Sequence, residues 1–153
     1  IRLAIPIMCG EPSKQHLYST KSGAKKIFQL ADVPSPICQV DIYDEQEFIT
    51  SLAQLITKNL YVSTWIFKID DEFNGRGHAY LNIDLIKPIQ AIKKKQLDPA
   101  IDLVEHLQPI LARYLPKKAI IAMPSLYKSW GEYMSAFCRV GGIIEAAPTC
   151  LSH

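Results

Sequence analysis

The sequence predicts an α/β (α+β) domain with a mixed sheet and flanking helices, and three observations carry that prediction. Stretches whose apolar residues recur every three or four positions alternate along the chain with short apolar runs, some of period two. The helical stretches open on capping residues and stop at Pro, Gly or Asn. With 48% hydrophobic and 21% charged residues among 153, the chain can build one packed core, and it shows no internal repeat or low-complexity linker.

Residues 3–8 read as a buried strand, which Pro6 places at an edge or a bulge, and residues 10–13 break it. Ala24, Ile27, Phe28 and Ala31 then share one helical face, with Ser22 as the expected N-cap. Pro34 stops that helix and Pro36 keeps the next stretch extended, into an alternating strand over 37–42. Asp44 and Glu47 have the spacing of a capping box. Phe48, Leu52, Leu55 and Ile56 continue as one face, and the helix closes at Lys58-Asn59, where a cation and a residue tolerant of left-handed backbone suit a C-terminus.

Two strands follow, at about 63–69 and 77–84, around a polar turn. Asn74-Gly75 in that turn suits a tight hairpin, because both central positions need positive φ. Asp98-Pro99 is expected to cap and open a helix, with Leu97, Ile101, Val104, Leu107 and Leu111 facing one way, kinked at Pro109 and ended by Pro116. Residues 119–123 are a short apolar strand. Ser129 and Glu132 form a second capping box; Trp130, Tyr133, Met134 and Phe137 line its helix, which Gly141 closes. Residues 142–147 then make a buried strand carrying one carboxylate, Glu145.

The net charge of +2 is small, and the basic residues are dispersed apart from Lys93-Lys94-Lys95, which argues against nucleic acid or a membrane surface as partner. No uninterrupted apolar run is long enough to cross a bilayer. The first residues are too short and Pro-broken for a signal peptide and lack an initiator Met, so the chain reads as a piece of something longer. Cys9, Cys38, Cys138 and Cys150 form no close Cys or Cys/His cluster, so neither zinc nor a redox pair is expected, and a reducing, cytoplasmic compartment is the default. Cys38 and Cys138 read as small core residues. Neither a Gly-x-Ser-x-Gly elbow nor a Walker-type loop is present.

Lys68 stands at the exit of an apolar strand, just before a Gly-bearing loop. A partly buried lysine needs an anionic partner, which a phosphate, Asp70 or Asp84 would supply. Glu145 in its apolar strand needs a partner too, and Arg139, a lysine or ribose hydroxyls would serve. Lys25 is either a ligand or one lysine of a solvated helix face, and His78 reads as a hairpin side chain rather than a catalyst. The backbone amides of Gly75, Arg76 and Gly77 offer a cover for a phosphate.

In series, these pieces resemble the nucleotide-binding part of the ATP-grasp fold. The resemblance rests on Lys21 and Lys25, the Val33-Pro34 and Pro36 exit, the Lys68 strand, the Gly75-Arg76-Gly77 loop and the hinge strand Ile143-Ile144-Glu145-Ala146. More narrowly, Leu17-Tyr18-Ser19-Thr20-Lys21-Ser22-Gly23, the run from Lys68 to Gly77 and Gly141-Gly142-Ile143-Ile144-Glu145-Ala146 resemble the IQ motif-containing protein H family. The resemblance implies an N-terminal strand and connector over 1–16, a partial ATP-grasp-like domain (lid and hinge strand) over 17–148, and a tail over 149–153.

It further implies ATP as ligand, with magnesium in the full-length parent. Lys25 and Lys68 would contact phosphates, Gly75, Arg76 and Gly77 would cover them, and Glu145 would lie at the adenine or ribose end. No residue of this chain is assigned to catalysis or to a metal. Asp70-Asp71-Glu72 beside the loop would repel a triphosphate unless turned away or bridged by a cation. The family's chemistry would be ATP-grasp ligation through an acyl-phosphate, with metal carboxylates on a core that follows the hinge, so this piece alone is expected to be non-catalytic. Also implied are a cytoplasmic protein of the sperm or ciliary (flagellar) axoneme, axonemal partners, and calmodulin bound through a segment outside this chain. Ile89-Gln90 lacks the remainder of an IQ motif. The alternative expectation is an axonemal scaffold that keeps the fold and has lost nucleotide binding.

Overall fold

The computed structural model describes residues 10–94 and 102–148. In chain order the elements are α1 (Pro12–Ser19), α2 (Lys21–Leu30), β1 (Cys38–Ile42), α3 (Glu45–Lys58), β2 (Thr64–Ile69) and β3 (His78–Asn82). A 3-10 turn (Ile83–Leu85), α4 (Lys87–Lys94), α5 (Leu103–Lys118), β4 (Ile120–Ile121), α6 (Trp130–Val140) and β5 (Gly142–Ala146) complete them. The strands form one five-stranded sheet in the order β1-β5-β2-β3-β4. The α+β class holds, but every pairing is antiparallel, which corrects the expected mixed sheet. The reason is an insertion: β5, the last strand, slots between β1 and β2 and runs against both. The strand–helix–strand unit β1-α3-β2, which locally promises parallel neighbours, therefore never pairs with itself.

One face of the sheet is the core. Trp65, Phe67 and Ile69 of β2 are buried there with Ala79, Leu81, Ile144 and Ala146, against the apolar sides of α3, α5 and α6. Phe48 of α3 sits at the centre, edge-on to Phe67 at 4.8 Å and to Phe137 at 5.2 Å. Along β2, buried and half-buried residues alternate, so Ile66 and Lys68 belong to the opposite face. That second face is crossed by α2 at its β1 and β5 side.

Local chemistry explains the caps, with corrections. Asp44 Oδ1 accepts from the backbone N–H groups of Gln46 and Glu47, and the Glu47 carboxylate reaches back to the Tyr43 N–H. Asn59 ends α3 at φ −139°, outside the left-handed region, with its side-chain amide on the Leu55 carbonyl at 2.9 Å. Thr20, not Ser22, caps α2, accepting from the Gly23 N–H at 2.9 Å. The expected core face of α2 is reversed: Ser22, Gly23 and Lys25 are its buried residues, while Ile27 and Phe28 stay 36% and 41% exposed.

The expected strand at 3–8 and the expected cap at Asp98 lie outside the described residues. Asp102 caps α5, which runs through Pro109 and past Pro116 to Lys118, held by the buried row Leu107, Leu111 and Leu115. β4 shrinks to two residues at the sheet edge. Gly141 closes α6 at φ +87°, as its position in the sequence predicts.

Candidate functional site

Sheet register brings the candidate residues together. Lys68 of β2 lies opposite His78 on one side and Ile143 on the other, and Glu145, two residues beyond Ile143, lies opposite Ile66 and Cys38. Because side chains two apart share a face, Lys68, His78 and Glu145 all point to the side crossed by α2. The buried side of α2 adds Lys25 from above. Lys25 Nζ lies 2.8 Å from Glu145 Oε2, and Lys68 Nζ donates to Glu145 Oε1, so each carboxylate oxygen holds one ammonium. Lys21, Lys25, Lys68, His78, Ile143 and Glu145 line a cavity of about 360 Å³. The partners that the sequence left open are thereby fixed: Lys68 and Glu145 take each other, while Asp84 takes Lys93 at 2.6 Å.

The charges do not balance. Two ammoniums face one carboxylate, and Lys21 adds a third cation at the rim, its Nζ donating to the backbone carbonyls of Asp70 and Glu72. Burial alone would raise Glu145, but the hydrogen bonds from Lys25 and Lys68 outweigh it and hold the carboxyl below its ordinary range. Burial lowers Lys21 and the nearby Lys68 ammonium adds to this, while the carboxylates of Asp70, Asp71 and Glu72 oppose it without cancelling it. Burial also lowers His78, again helped by Lys68 and Lys21, so the imidazole stays neutral at pH 7. His78, read from the sequence as a hairpin side chain, is thus a wall of the cavity. The signal that could have found it is its place opposite Lys68 in the hairpin.

The loop residues behave differently from the lysines. The Arg76 N–H donates to the Phe73 carbonyl at 3.1 Å, with Asn74 at φ +54° and Gly75 at φ +73°, which is the tight turn the Asn-Gly pair predicts. Gly75, Arg76 and Gly77 do not line the cavity. Gly75 approaches it only through His78, whose Nδ1 would lie 3.6 Å from a Cβ at that position. Gly77 is packed away: an added Cβ would meet Glu72 Cβ at 2.6 Å, and its carbonyl accepts from Ile69 N at 3.0 Å and from the Tyr133 hydroxyl at 3.1 Å. Arg76 Nε lies 3.3 Å from Glu72 Oε2.

Two of the three acids in the loop are turned to structural work. Asp70 is buried, and its Oδ1 accepts from the Ser22 N–H at 2.9 Å and the Ser22 hydroxyl at 3.0 Å, an anion at the first turn of α2. Ser22 Oγ in turn accepts from the Asp41 N–H at 3.1 Å. Glu72 Oε1 accepts from the Tyr127 hydroxyl at 3.1 Å. Asp71 is exposed.

A second cavity of about 500 Å³ adjoins the first and shares Pro36 with it. Ile37, Tyr61, Val62, Thr64, Ala146 and Ala147 are among its mostly apolar walls. Among the described residues no group of three or more His, Cys, Asp or Glu could hold a metal ion, and no helix is long and apolar enough to cross a membrane.

A family model described as IQCH-like, ATP-grasp matches residues 12–152. IQ motif-containing protein H of Danio rerio is 37% identical over 169 aligned residues, which take in 98% of this chain and 16% of that relative. No solved structure matches the chain. The match to the family runs from the first turn of α1 through β5 and takes in the Lys25, Lys68 and Glu145 cluster, and the chain belongs to the IQ motif-containing protein H family, of which it forms an ATP-grasp-like domain.

Proposed function

We propose that this domain binds ATP, with Lys25 and Lys68 on the phosphates and the base in the adjoining apolar cavity. The observation that supports this reading is the convergence of two lysines, from a helix and a strand distant in sequence, on one buried carboxylate beside an open cavity. A buried ion cluster is poor at stabilising a fold, since desolvation offsets most of its attraction. An excess of buried cation is better explained by an anion that arrives from outside. Glu145 lies between the two lysines in their cavity, and its neighbour Ala146 lines the apolar one. The turn of Gly75, Arg76 and Gly77 takes no part in phosphate contact here, since it lies outside the cavity, the Arg76 N–H is taken by the Phe73 carbonyl and Gly77 is packed against Glu72. Any magnesium accompanying the nucleotide would be held by other parts of the longer protein, because the described residues offer no such group. Ligation through an acyl-phosphate would likewise need those parts.

For the whole protein we propose a place in the ciliary or sperm axoneme, with calmodulin taken by an IQ segment elsewhere in the polypeptide. The second reading is an axonemal scaffold without nucleotide. The exposed apolar side chains of α1 and α2, Leu17, Tyr18, Ile27, Phe28 and Leu30, favour a docking role of this kind. Titration of the longest protein containing this chain with ATP and magnesium separates the two. Wild type should bind, and Lys68→Ala should bind at least tenfold more weakly. No ATP binding by either form would leave the scaffold reading.

A further inference from the structure

The carboxylate of Glu145 occupies the place that the phosphate reading gives to the ligand. Its two oxygens each hold one ammonium, Lys25 at 2.8 Å and Lys68 in a direct hydrogen bond, and the glutamate is only 4% exposed. Two oxygens on one centre, each facing a lysine, is also how two oxygens of a phosphoryl group would sit. We infer that Glu145 is a resident stand-in for a phosphoryl group, and that a polyphosphate enters by taking Lys25 and Lys68 from it. This inference rests on the phosphate-binding reading and concerns the regulation of that same site.

Three consequences follow from the charges. The carboxylate keeps both lysines oriented while the site is empty, so they do not collapse onto backbone carbonyls. It sets a threshold, because an incoming anion must out-compete a carboxylate already in contact. Ions of low charge then bind poorly and a chain of phosphates binds well. Finally, ligand binding places new negative charge beside Glu145 and removes its partners. The other groups facing it are Cys38 from β1, His78 from β3 and Lys21 from α2, and none of them replaces the lost cations at contact distance.

The test uses inorganic tripolyphosphate, which has phosphates but neither ribose nor base. By calorimetric titration of the full chain, Glu145→Gln should bind tripolyphosphate at least tenfold more tightly than wild type. If wild type binds ATP but Glu145→Gln binds tripolyphosphate no better than wild type does, the stand-in role is refuted while the nucleotide site survives. If neither form binds ATP or tripolyphosphate, the phosphate reading itself fails and takes this inference with it. Glu145→Gln leaves two buried ammoniums without a counter-charge and is at risk of unfolding. A second measurement therefore uses wild type, following the ¹³C carboxyl resonance of Glu145 against pH. The titration of Glu145 should move to higher pH when tripolyphosphate saturates the protein. An unchanged titration with tripolyphosphate bound would overturn the inference.

Discussion

Replacing Asp70 by alanine separates two roles that an acid beside the proposed phosphate site can have. In the structure Asp70 Oδ1 takes both the N–H and the hydroxyl of Ser22, at 2.9 and 3.0 Å, and the residue is 5% exposed. Hydrogen bonds to a charged group contribute roughly 1.5–3 kcal/mol each, and an anion at a helix N-terminus adds about 0.3–1 kcal/mol. The carboxylate's own burial opposes these gains, so the net loss for Asp70→Ala should be about 2–4 kcal/mol. With a urea slope of about 2 kcal/mol/M, the unfolding midpoint should drop by roughly 1–2 M. Asp71→Ala, at the exposed neighbour, should stay within about 0.5 kcal/mol of wild type. Phosphate affinity provides the second arm. Because the Asp70 bond steadies the turn of α2 that leads into Lys25, Asp70→Ala should weaken ATP binding. A variant as stable as wild type, or one that binds ATP more tightly, would show that Asp70 is a repelling charge and would refute the cap argument.

The remaining predictions concern the lysines, the loop and acid. Lys25→Met should cost about 1–3 kcal/mol, since Lys68 still pairs with Glu145, whereas Lys25→Met with Lys68→Met strands the carboxylate and should cost about 3–5 kcal/mol. Urea unfolding of both reads the difference, and equal stabilities would rule out compensation by the lysines. Gly75→Ala should cost about 1–2 kcal/mol from its φ of +73° alone, because an added Cβ has room there. Gly77→Ala should cost about 3 kcal/mol by overpacking against Glu72 and Ile69, and matching losses on thermal or urea unfolding would contradict this division. Acid should act in two stages. His78 and Glu145 both have depressed folded values, so the unfolded chain binds more protons in each window and stability falls as pH drops. The first loss begins below the ordinary histidine value of 6.5 and the second below the ordinary glutamate value of 4.5. Urea midpoints between about pH 8 and pH 3 check the sign, and His78→Gln should remove the first stage.

The local signals were legible because they are short-range. The Asp44 and Ser129 caps, the Asn74-Gly75 turn and the Gly141 terminus each depend on residues within about one helical turn of one another. Where a distant group intervened, the same reasoning went wrong. Ser22 has a capping side chain, but Asp70, 48 residues on, claims its hydroxyl, and the cap passes to Thr20. The apolar periodicity of α2 is real, yet the helix lies on the sheet by its Ser22, Gly23 and Lys25 side. Periodicity records which residues share a face and not which face is covered.

By itself the sequence determined the α+β class, nearly all the elements that bear the site, and the anomaly of Lys68 and Glu145 as charges in apolar strands. Burying an ion is costly enough that its need for a partner can be read from its neighbours. Only the tertiary structure decided which partner. The insertion of β5 beside β2 brings Glu145 within reach of Lys68, 77 residues away, and the seating of α2 adds Lys25. The same packing sends Asp70 and Glu72 to α2 and Tyr127 and draws Gly77 into the core. Strand order and helix seating are set by the burial of the whole core against chain entropy, a balance over many residues that no single stretch of sequence contains.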